Sequence, residues 1–206
     1  MNALARMLKE HMSIPYKLTC ITDSPEMDVE CDTYQLWDFP RIDDKIDAYR
    51  RLKLFDPETG KQFGERVVSI DLDVLIEADL APLFDNDNDF QGIKGRASWI
   101  NGSLWSLKVG TNLHVWDEFD PDTVKKLISK SKFHGSDQAW MSMKMPKCAY
   151  WNGNDDGAWL YKDIRQKTTF PEFRRITVFP GGVNPWENSE FSQGFQILHK
   201  NYMKYL

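Results

Sequence analysis

Cysteine is scarce in this chain, which holds only Cys20, Cys31 and Cys148. The count is odd, no CxxC pair occurs, and no Cys/His cluster has zinc spacing. That excludes a disulfide-stapled secreted module and a zinc ribbon, and the three read as buried thiols in a reducing compartment. A basic stretch followed by an apolar core is missing from the first residues, and no apolar run approaches the ~18 residues of a membrane span. Neither a secretory leader nor a transmembrane segment is expected, and the chain is read as cytoplasmic. Internal repeats, low-complexity tracts and linker-like stretches are missing too, which leaves a single domain over residues 1–206. Positive charge is also short, with 26 Lys and Arg against 31 Asp and Glu. The resulting net charge of −5 argues against broad nucleic-acid binding.

What is present points to an α/β domain. A chain of 206 residues can bury roughly 70% of its unfolded surface around one core. Aromatic residues are abundant, 8 of them Trp, and they serve packing before they serve stacking on sugars or bases. The stretch at 67–84, VVSIDLDVLIEADLAPLF, organises the rest. Val67, Val68, Ser69 and Ile70 favour a buried strand of an α/β sheet, and Val74, Leu75 and Ile76 continue the apolar run. Between them stand Asp71 and Asp73. Residues i and i+2 of an extended chain point the same way, so the two carboxylates converge beyond the strand's carboxyl end, where open α/β sheets bind ligands. Like charges so placed repel unless a cation joins them. Mg²⁺ or Mn²⁺ suits the pair, because a hard ion held by one or two carboxylates completes its shell with water and phosphate oxygens. The plain alternative is a pair of solvated turn aspartates.

Along the chain, Leu4, Met7, Leu8 and Met12 fall at helical spacing, and Ile14 before Pro15 ends that helix. Strands are expected over 16–22 and 29–37, separated by the turn Asp23, Ser24 and Pro25. Ile42, Ile46, Tyr49, Leu52 and Phe55 mark a second helix, closed by Asp56, Pro57 and Gly60. It carries Arg50, Arg51 and Lys53, which either face a phosphate or form a solvated face. The polar loop 85–89 alternates Asp and Asn like a calcium loop but lacks that motif's Gly and Glu, and reads as a surface turn. Strands follow at 90–93 and 99–109, the second with Asn101, Gly102 and Ser103 in its middle. A glycine there marks close approach of a ligand or another backbone. Asp120 and Pro121 open a helix through Val124, Leu127 and Ile128. Gly135, Ser136, Asp137 and Gln138 open another that packs Trp140 and Met143. In its first turn Asp137 points toward any ligand bound there, or serves only the helix terminus. Further strands are expected at 148–151 and 175–179, with a turn at 152–157 between them. A rigid loop at 180–186 leads to a terminal helix over 191–206, with Phe195, Leu198, Tyr202 and Tyr205, that packs onto the domain or touches a membrane surface.

Several of these segments together resemble one family, the nucleotide-sugar glycosyltransferases of the GT-A fold, especially the glycogenin-like and lipopolysaccharide galactosyltransferase-like group. The family's basic residue plus leucine, its helix, and its apolar strand ending in Asp-x-Asp with a downstream "dL.pLFd" resemble residues 49–84. Its Asn-(Ala/Gly)-(Gly/Ser) strand resembles Asn101, Gly102 and Ser103, its Asp-Gln helix start resembles Asp137 and Gln138, and its Gly-x-x-Lys-Pro-Trp loop is similar to Gly181 through Trp186. The four come in the family's order across about two thirds of the chain. The resemblance implies a central mixed, mainly parallel sheet flanked by helices. It also implies a sugar nucleotide donor, with a UDP-sugar as the leading choice, and a glycan, protein or small-molecule acceptor. Asp71 and Asp73 would hold Mn²⁺ or Mg²⁺ on the diphosphate, with Arg51 near the donor. Asp137 and Gln138 are cast as catalytic and donor-binding residues that hold sugar hydroxyls, with Asn101 and Gly102 also at the donor. The family retains anomeric configuration, and transfer by same-face attack is what the resemblance implies.

Two positions depart from the family. Its third metal ligand, a His just before the Gly-x-x-Lys-Pro-Trp loop, is replaced in the neighbourhood of Val178, Phe179 and Pro180, and the loop's phosphate-binding Lys is Asn184 here. His199 lies too far downstream to be matched by motif. Two other readings therefore stand beside the enzyme: a domain of the same fold that binds a sugar nucleotide or glycan without turnover, and a haloacid dehalogenase-like phosphatase. The phosphatase would use Asn154, Asp155 and Asp156 as its late acidic pair, but Leu75 stands where its motif wants Thr or Val. The chain also opens on a helix where such a fold normally has its first buried strand. An apolar strand of five to eight residues and a polar loop are accordingly expected upstream.

Overall fold

The computed structural model describes residues 1–38, 47–95, 99–128, 136–165, 171–187 and 193–206. Helix α1 (Asn2–His11) leads to strands β1 (Thr19–Thr22) and β2 (Asp32–Gln35), then a 3₁₀ helix (Asp47–Phe55) and α2 (Pro57–Gly60). Next come β3 (Arg66–Ile70), β4 (Val74–Ile76), α3 (Ala81–Phe84), β5 (Phe90–Lys94) and β6 (Ile100–Lys108). Helices α4 (His114–Asp117), α5 (Pro121–Ile128) and α6 (Asp137–Lys144) precede β7 (Ala149–Trp151) and α7 (Gly153–Asp156). The chain closes with β8 (Ala158–Leu160), α8 (Tyr161–Ile164), β9 (Ile176–Val178), α9 (Gln193–Tyr202) and a 3₁₀ turn (Met203–Tyr205). No helix among the described residues is long and apolar enough to cross a membrane. Ile42, Ile46, Gly135 and Phe191 lie outside the described residues.

The chain forms two compact units, one of Met1–Leu36, Asp71–Asn86 and Trp151–Leu206, the other of Trp37–Ile70 and Asp87–Tyr150. In the first, β1 and β2 form a parallel pair, and a mixed sheet of order β4-β9-β8 sets β4 antiparallel and β8 parallel to β9. All nine residues of that mixed sheet are buried, which explains their near-continuous apolar sequence. Helix α1 turns Leu4, Met7 and Leu8 inward, as its spacing predicts. The Ile76 amide of β4 donates to Met7 Sδ at 3.3 Å, a weak acceptor that occupies the side of β4 away from β9. The carbonyl of His11 receives the Leu80 amide, and Ser13 donates its N–H and hydroxyl to Asp79 at 3.0 and 2.7 Å. Those bonds take up groups that a helix end leaves open.

The second unit is built on a sheet of order β3-β6-β5-β7. The nine-residue β6 runs antiparallel to both β3 and β5, and eight of its residues are buried. Phe55, Phe90 and Trp105 gather over it with ring centroids 5.5 to 6.0 Å apart. The helix expected through Phe55 is wound as 3₁₀ over its described part. Its buried Tyr49, Leu52 and Phe55 are spaced by three, and three residues per turn puts them on one face. The α/β class and the mixed sheets with flanking helices agree with the expected fold. The pairs β3–β6, β5–β6 and β4–β9 are antiparallel, and β1–β2 and β8–β9 are parallel.

The expected strand before the carboxylates is β3, which ends at Ile70; the chain then bends at Leu72 and Asp73, and the second apolar run is β4 of another sheet. Only the run after the carboxylates is fully buried, while β3 is mostly half-buried. Two charged side chains are costly inside a fully buried strand, and the chain bends where they stand. The expected turn at 152–157 is the short helix α7, capped by Asn152 and ended by Gly157 at φ 69°.

Candidate active site

The residues of the second unit that the resemblance casts at the donor meet at an irregularity in β6. Gly92 of β5 pairs with Trp105 while the next residue, Ile93, pairs with Asn101, so residues 102–104 bulge from that ladder, and β3 ends opposite Leu104. Gly102 therefore has its backbone released toward side chains, the usual work of a bulge beside a site. Its N–H donates to Gln138 Oε1 at 3.2 Å and its carbonyl accepts from Arg51 Nη1 at 2.5 Å. Arg51 Nε also stands 3.0 Å from Asp137 Oδ2. A Cβ on Gly102 would lie 3.4 Å from Asp137 Oδ2 and 3.5 Å from Gln138 Cβ, so glycine lets β6 approach this closely.

Helix α6 presents Asp137 and Gln138. Ser136 caps it, accepting from the Ala139 amide at 3.3 Å, and this places both residues in the first turn, where a carboxylate is favoured by the helix dipole. A second tie fixes α6 on β6: Ser142 Oγ accepts from the Ile100 amide at 2.8 Å and donates to the Gln138 carbonyl. Asp137 is only 4% exposed, so its charge is sustained by Arg51 rather than by water. Asn101 is buried on the same strand and accepts from the Ser103 amide at 3.0 Å. Arg51, Asn101, Gly102, Asp137 and Gln138 are thus one cluster. Tyr49, which the spacing reads only as a core residue, is a further member of this neighbourhood. Burial, with the charge of Asp137 adding to it, pushes its phenol well above the ordinary value. Helical spacing alone cannot disclose that a core ring lies within the field of a carboxylate.

Asp71 and Asp73 belong to the other unit. They flank Leu72, which is 48% exposed, and are themselves half-buried. The Asp73 carbonyl accepts from the Phe179 amide at 2.9 Å, which ties the bend to the end of β9. Burial, and after it the Asp73 charge, raises the Tyr202 phenol, so α9 lies within reach of the same carboxylate. Beside it the loop entered at Gly181 and Gly182, with φ of 83° and 81°, takes a path that glycine alone follows readily. Trp186 of that loop packs on Tyr202 at 5.9 Å, and Asn184 donates to Glu187 at 2.9 Å. His199 Nδ1 lies 2.9 Å from the Pro185 carbonyl. Among the described residues no group of three or more His, Cys, Asp and Glu side chains is gathered where it could hold a metal ion. Two carboxylates on a half-buried bend fit a Mg²⁺-like ion that takes the rest of its shell from phosphate and water, and do not form a closed protein cage.

The fold is that of the GT-A glycosyltransferases. The particular structures it resembles include LgtC, a galactosyltransferase solved with donor and acceptor sugar analogues, at 14% identity and a TM-score of 0.61 over 98% of this chain and 90% of that one. The bifunctional glycosyltransferase WbbM matches 99% of this chain with 46% of its own, at 13% identity and a TM-score of 0.64. The glycosyltransferase GlyE of Streptococcus pneumoniae matches 98% with 56% of its own, at 14% identity and a TM-score of 0.58. At such identities the likeness is one of fold. No family model and no curated protein matches the chain.

Proposed function

We propose that this protein is a glycosyltransferase that moves a sugar from a nucleoside diphosphate donor, a UDP-sugar foremost, to a hydroxyl of a glycan, protein or small-molecule acceptor. The observation that carries the reading is the cluster of Arg51, Asp137, Gln138 and Gly102 within a fold that solved glycosyltransferases share. Breaking the bond between sugar and diphosphate builds negative charge on the leaving group, and neutralising it is the largest barrier-lowering contribution. Arg51 supplies a cation for that purpose. Asp137 accepts hydrogen bonds from sugar hydroxyls, Gln138 both donates and accepts, and Asn101 and Gly102 border the donor. Asp71 and Asp73 would hold Mn²⁺ or Mg²⁺, which when bound supplies further neutralisation of the diphosphate. The acceptor hydroxyl then needs positioning more than a strong base. The resembling family retains configuration, and among the described residues no carboxylate stands out as a covalent nucleophile, which together favour same-face attack.

The test is UDP release from a panel of UDP-sugars with and without Mn²⁺, alongside thermal-shift binding of the same panel. Donor-dependent UDP release is the expected result, and a panel in which no donor binds or is consumed would sink the reading. A binding domain without turnover is favoured by one observation, the commitment of Asn184 to Glu187 where the resembling family has a phosphate-binding Lys. It would show as donor binding with no UDP release. The phosphatase alternative is set aside, since Asp155 and Asp156 fold back on Asn152 to close α7 and the fold is a glycosyltransferase fold.

A further inference from the structure

Tyr49 has no part in the roles assigned above. No part of it is exposed, and its ring packs on Phe119 at 5.3 Å, yet among the described residues its hydroxyl has no hydrogen-bond partner. Burying a hydroxyl without a partner is penalised, while phenylalanine would fill the same space at no such penalty. A buried orphan of this kind calls for a reason, and a partner that arrives later is one. The surroundings narrow the choice. Tyr49 stands two residues before Arg51 on the same 3₁₀ helix, and the carboxylate of Asp137 acts on it electrostatically. A phenol out of water stays protonated, so it is a hydrogen-bond donor and not a base.

Arg51 in this structure reaches both Asp137 Oδ2 and the Gly102 carbonyl. A diphosphate competes strongly for a guanidinium, because charge-assisted bonds to phosphate are among the stronger ones. An Arg51 drawn toward phosphate would leave Asp137 as a buried charge with less compensation, an arrangement that proteins tolerate poorly. We propose that Tyr49 is a positioning residue for Asp137: as Arg51 turns to the diphosphate, the Tyr49 hydroxyl donates to the Asp137 carboxylate and holds it toward the sugar hydroxyls. This inference rests on the glycosyltransferase reading and adds a residue to it. Its consequence is that Tyr49 matters to the sugar part of the donor and not to the nucleotide part.

The experiment is calorimetric titration, in the presence of Mn²⁺, of UDP and of UDP-galactose and UDP-glucose into the wild-type protein, Tyr49→Phe, Asp137→Asn and the double variant. Tyr49→Phe is expected to melt no lower than wild type and to bind UDP within about twofold, while the sugar's added affinity falls about tenfold, the size of one hydrogen bond to a charged group. The double variant should lose no more than Asp137→Asn alone, because the two act as one unit. Equal loss of UDP and UDP-sugar affinity in Tyr49→Phe would mean a merely structural ring and overturn the inference. So would unchanged UDP-sugar affinity, or a wild type in which the sugar adds nothing to UDP. A wild-type protein that binds neither UDP nor UDP-sugar overturns the glycosyltransferase reading itself, and this inference with it.

Discussion

At the scale of single residues, Gly102 and Asp73 make the sharpest demands. Gly102 gives its N–H to Gln138 and its carbonyl to Arg51, with Asp137 and Gln138 pressed close to where a Cβ would stand. A methyl group at 3.4 Å meets ordinary contact, whereas a branched side chain does not fit. Gly102→Ala should therefore fold with a loss under ~1 kcal/mol, and Gly102→Val should lose roughly 1–3 kcal/mol by overpacking and displace both α6 residues. Chemical denaturation together with UDP-sugar titration checks this, and normal donor binding by Gly102→Val would show that the cluster does not meet the donor. Asp73→Asn removes a charge from a half-buried bend and should leave the melting temperature nearly unchanged. It should weaken Mn²⁺-dependent binding of UDP by at least ~10-fold, since among the described residues no third such side chain joins the two carboxylates. For the same reason the wild-type protein should hold Mn²⁺ weakly until a diphosphate joins it. Tight Mn²⁺ binding without nucleotide would mean a ligand set larger than this pair.

At the scale of elements, the ends of α1 and the strand after the carboxylates explain what the sequence disclosed and what it hid. Helix α1 was legible because Leu4, Met7 and Leu8 repeat at helical spacing and Pro15 forbids continuation. The long strand β6 and the helix start at Ser136 and Asp137 were legible for similar reasons, one a nine-residue buried run and the other a capped turn. The three-residue β8, squeezed between Gly157 and Tyr161, is too short to show any period. That the two apolar runs beside Asp71 and Asp73 join different sheets was hidden too, because apolar character alone does not name a strand's partner. Within the cluster, the family's ordered segments located Arg51, Gly102, Asp137 and Gln138, but the bulge that lets them meet depends on a register that only the folded sheet reveals. The end of α1 also carries a pH-dependent bond. Ser13 hydrogen bonds hold the Asp79 carboxyl below its ordinary value of 3.8, with the Ala81 amide adding to this. A depressed carboxyl stabilises the fold above its unfolded value, and that contribution is lost as pH falls through the folded value. Ser13→Ala should accordingly be less stable than wild type near about pH 6 and approach it near about pH 2.5. Urea melts at the two pH values decide it, and a difference that persists or grows in acid would refute the assignment.

At the scale of the whole molecule, the first unit is assembled from three separate passes of the chain, and side chains must hold the later passes together. Glu77, just past β4, receives two hydrogen bonds from Arg174 at 2.7 Å each and a third from Asn201 on α9 at 2.9 Å. This joins the pass that carries Asp71 and Asp73 to the pass that carries β9 and the terminal helix. Both charged side chains are largely buried, at 12% and 13% exposure, so water cannot replace a lost partner. Removing one member leaves the other as an uncompensated buried charge, which typically costs about 3–5 kcal/mol, while replacing both with apolar groups of similar size is often neutral. Glu77→Ala is therefore expected to lower the melting temperature by roughly 6–20 °C for a chain of this size. The double change Glu77→Leu with Arg174→Met should recover most of that loss. Thermal melts of the single and double variants separate the possibilities. A Glu77→Ala protein as stable as wild type would mean that packing along β4 and β9 alone joins these passes, and a double variant no better than the single would mean that the charge itself is needed.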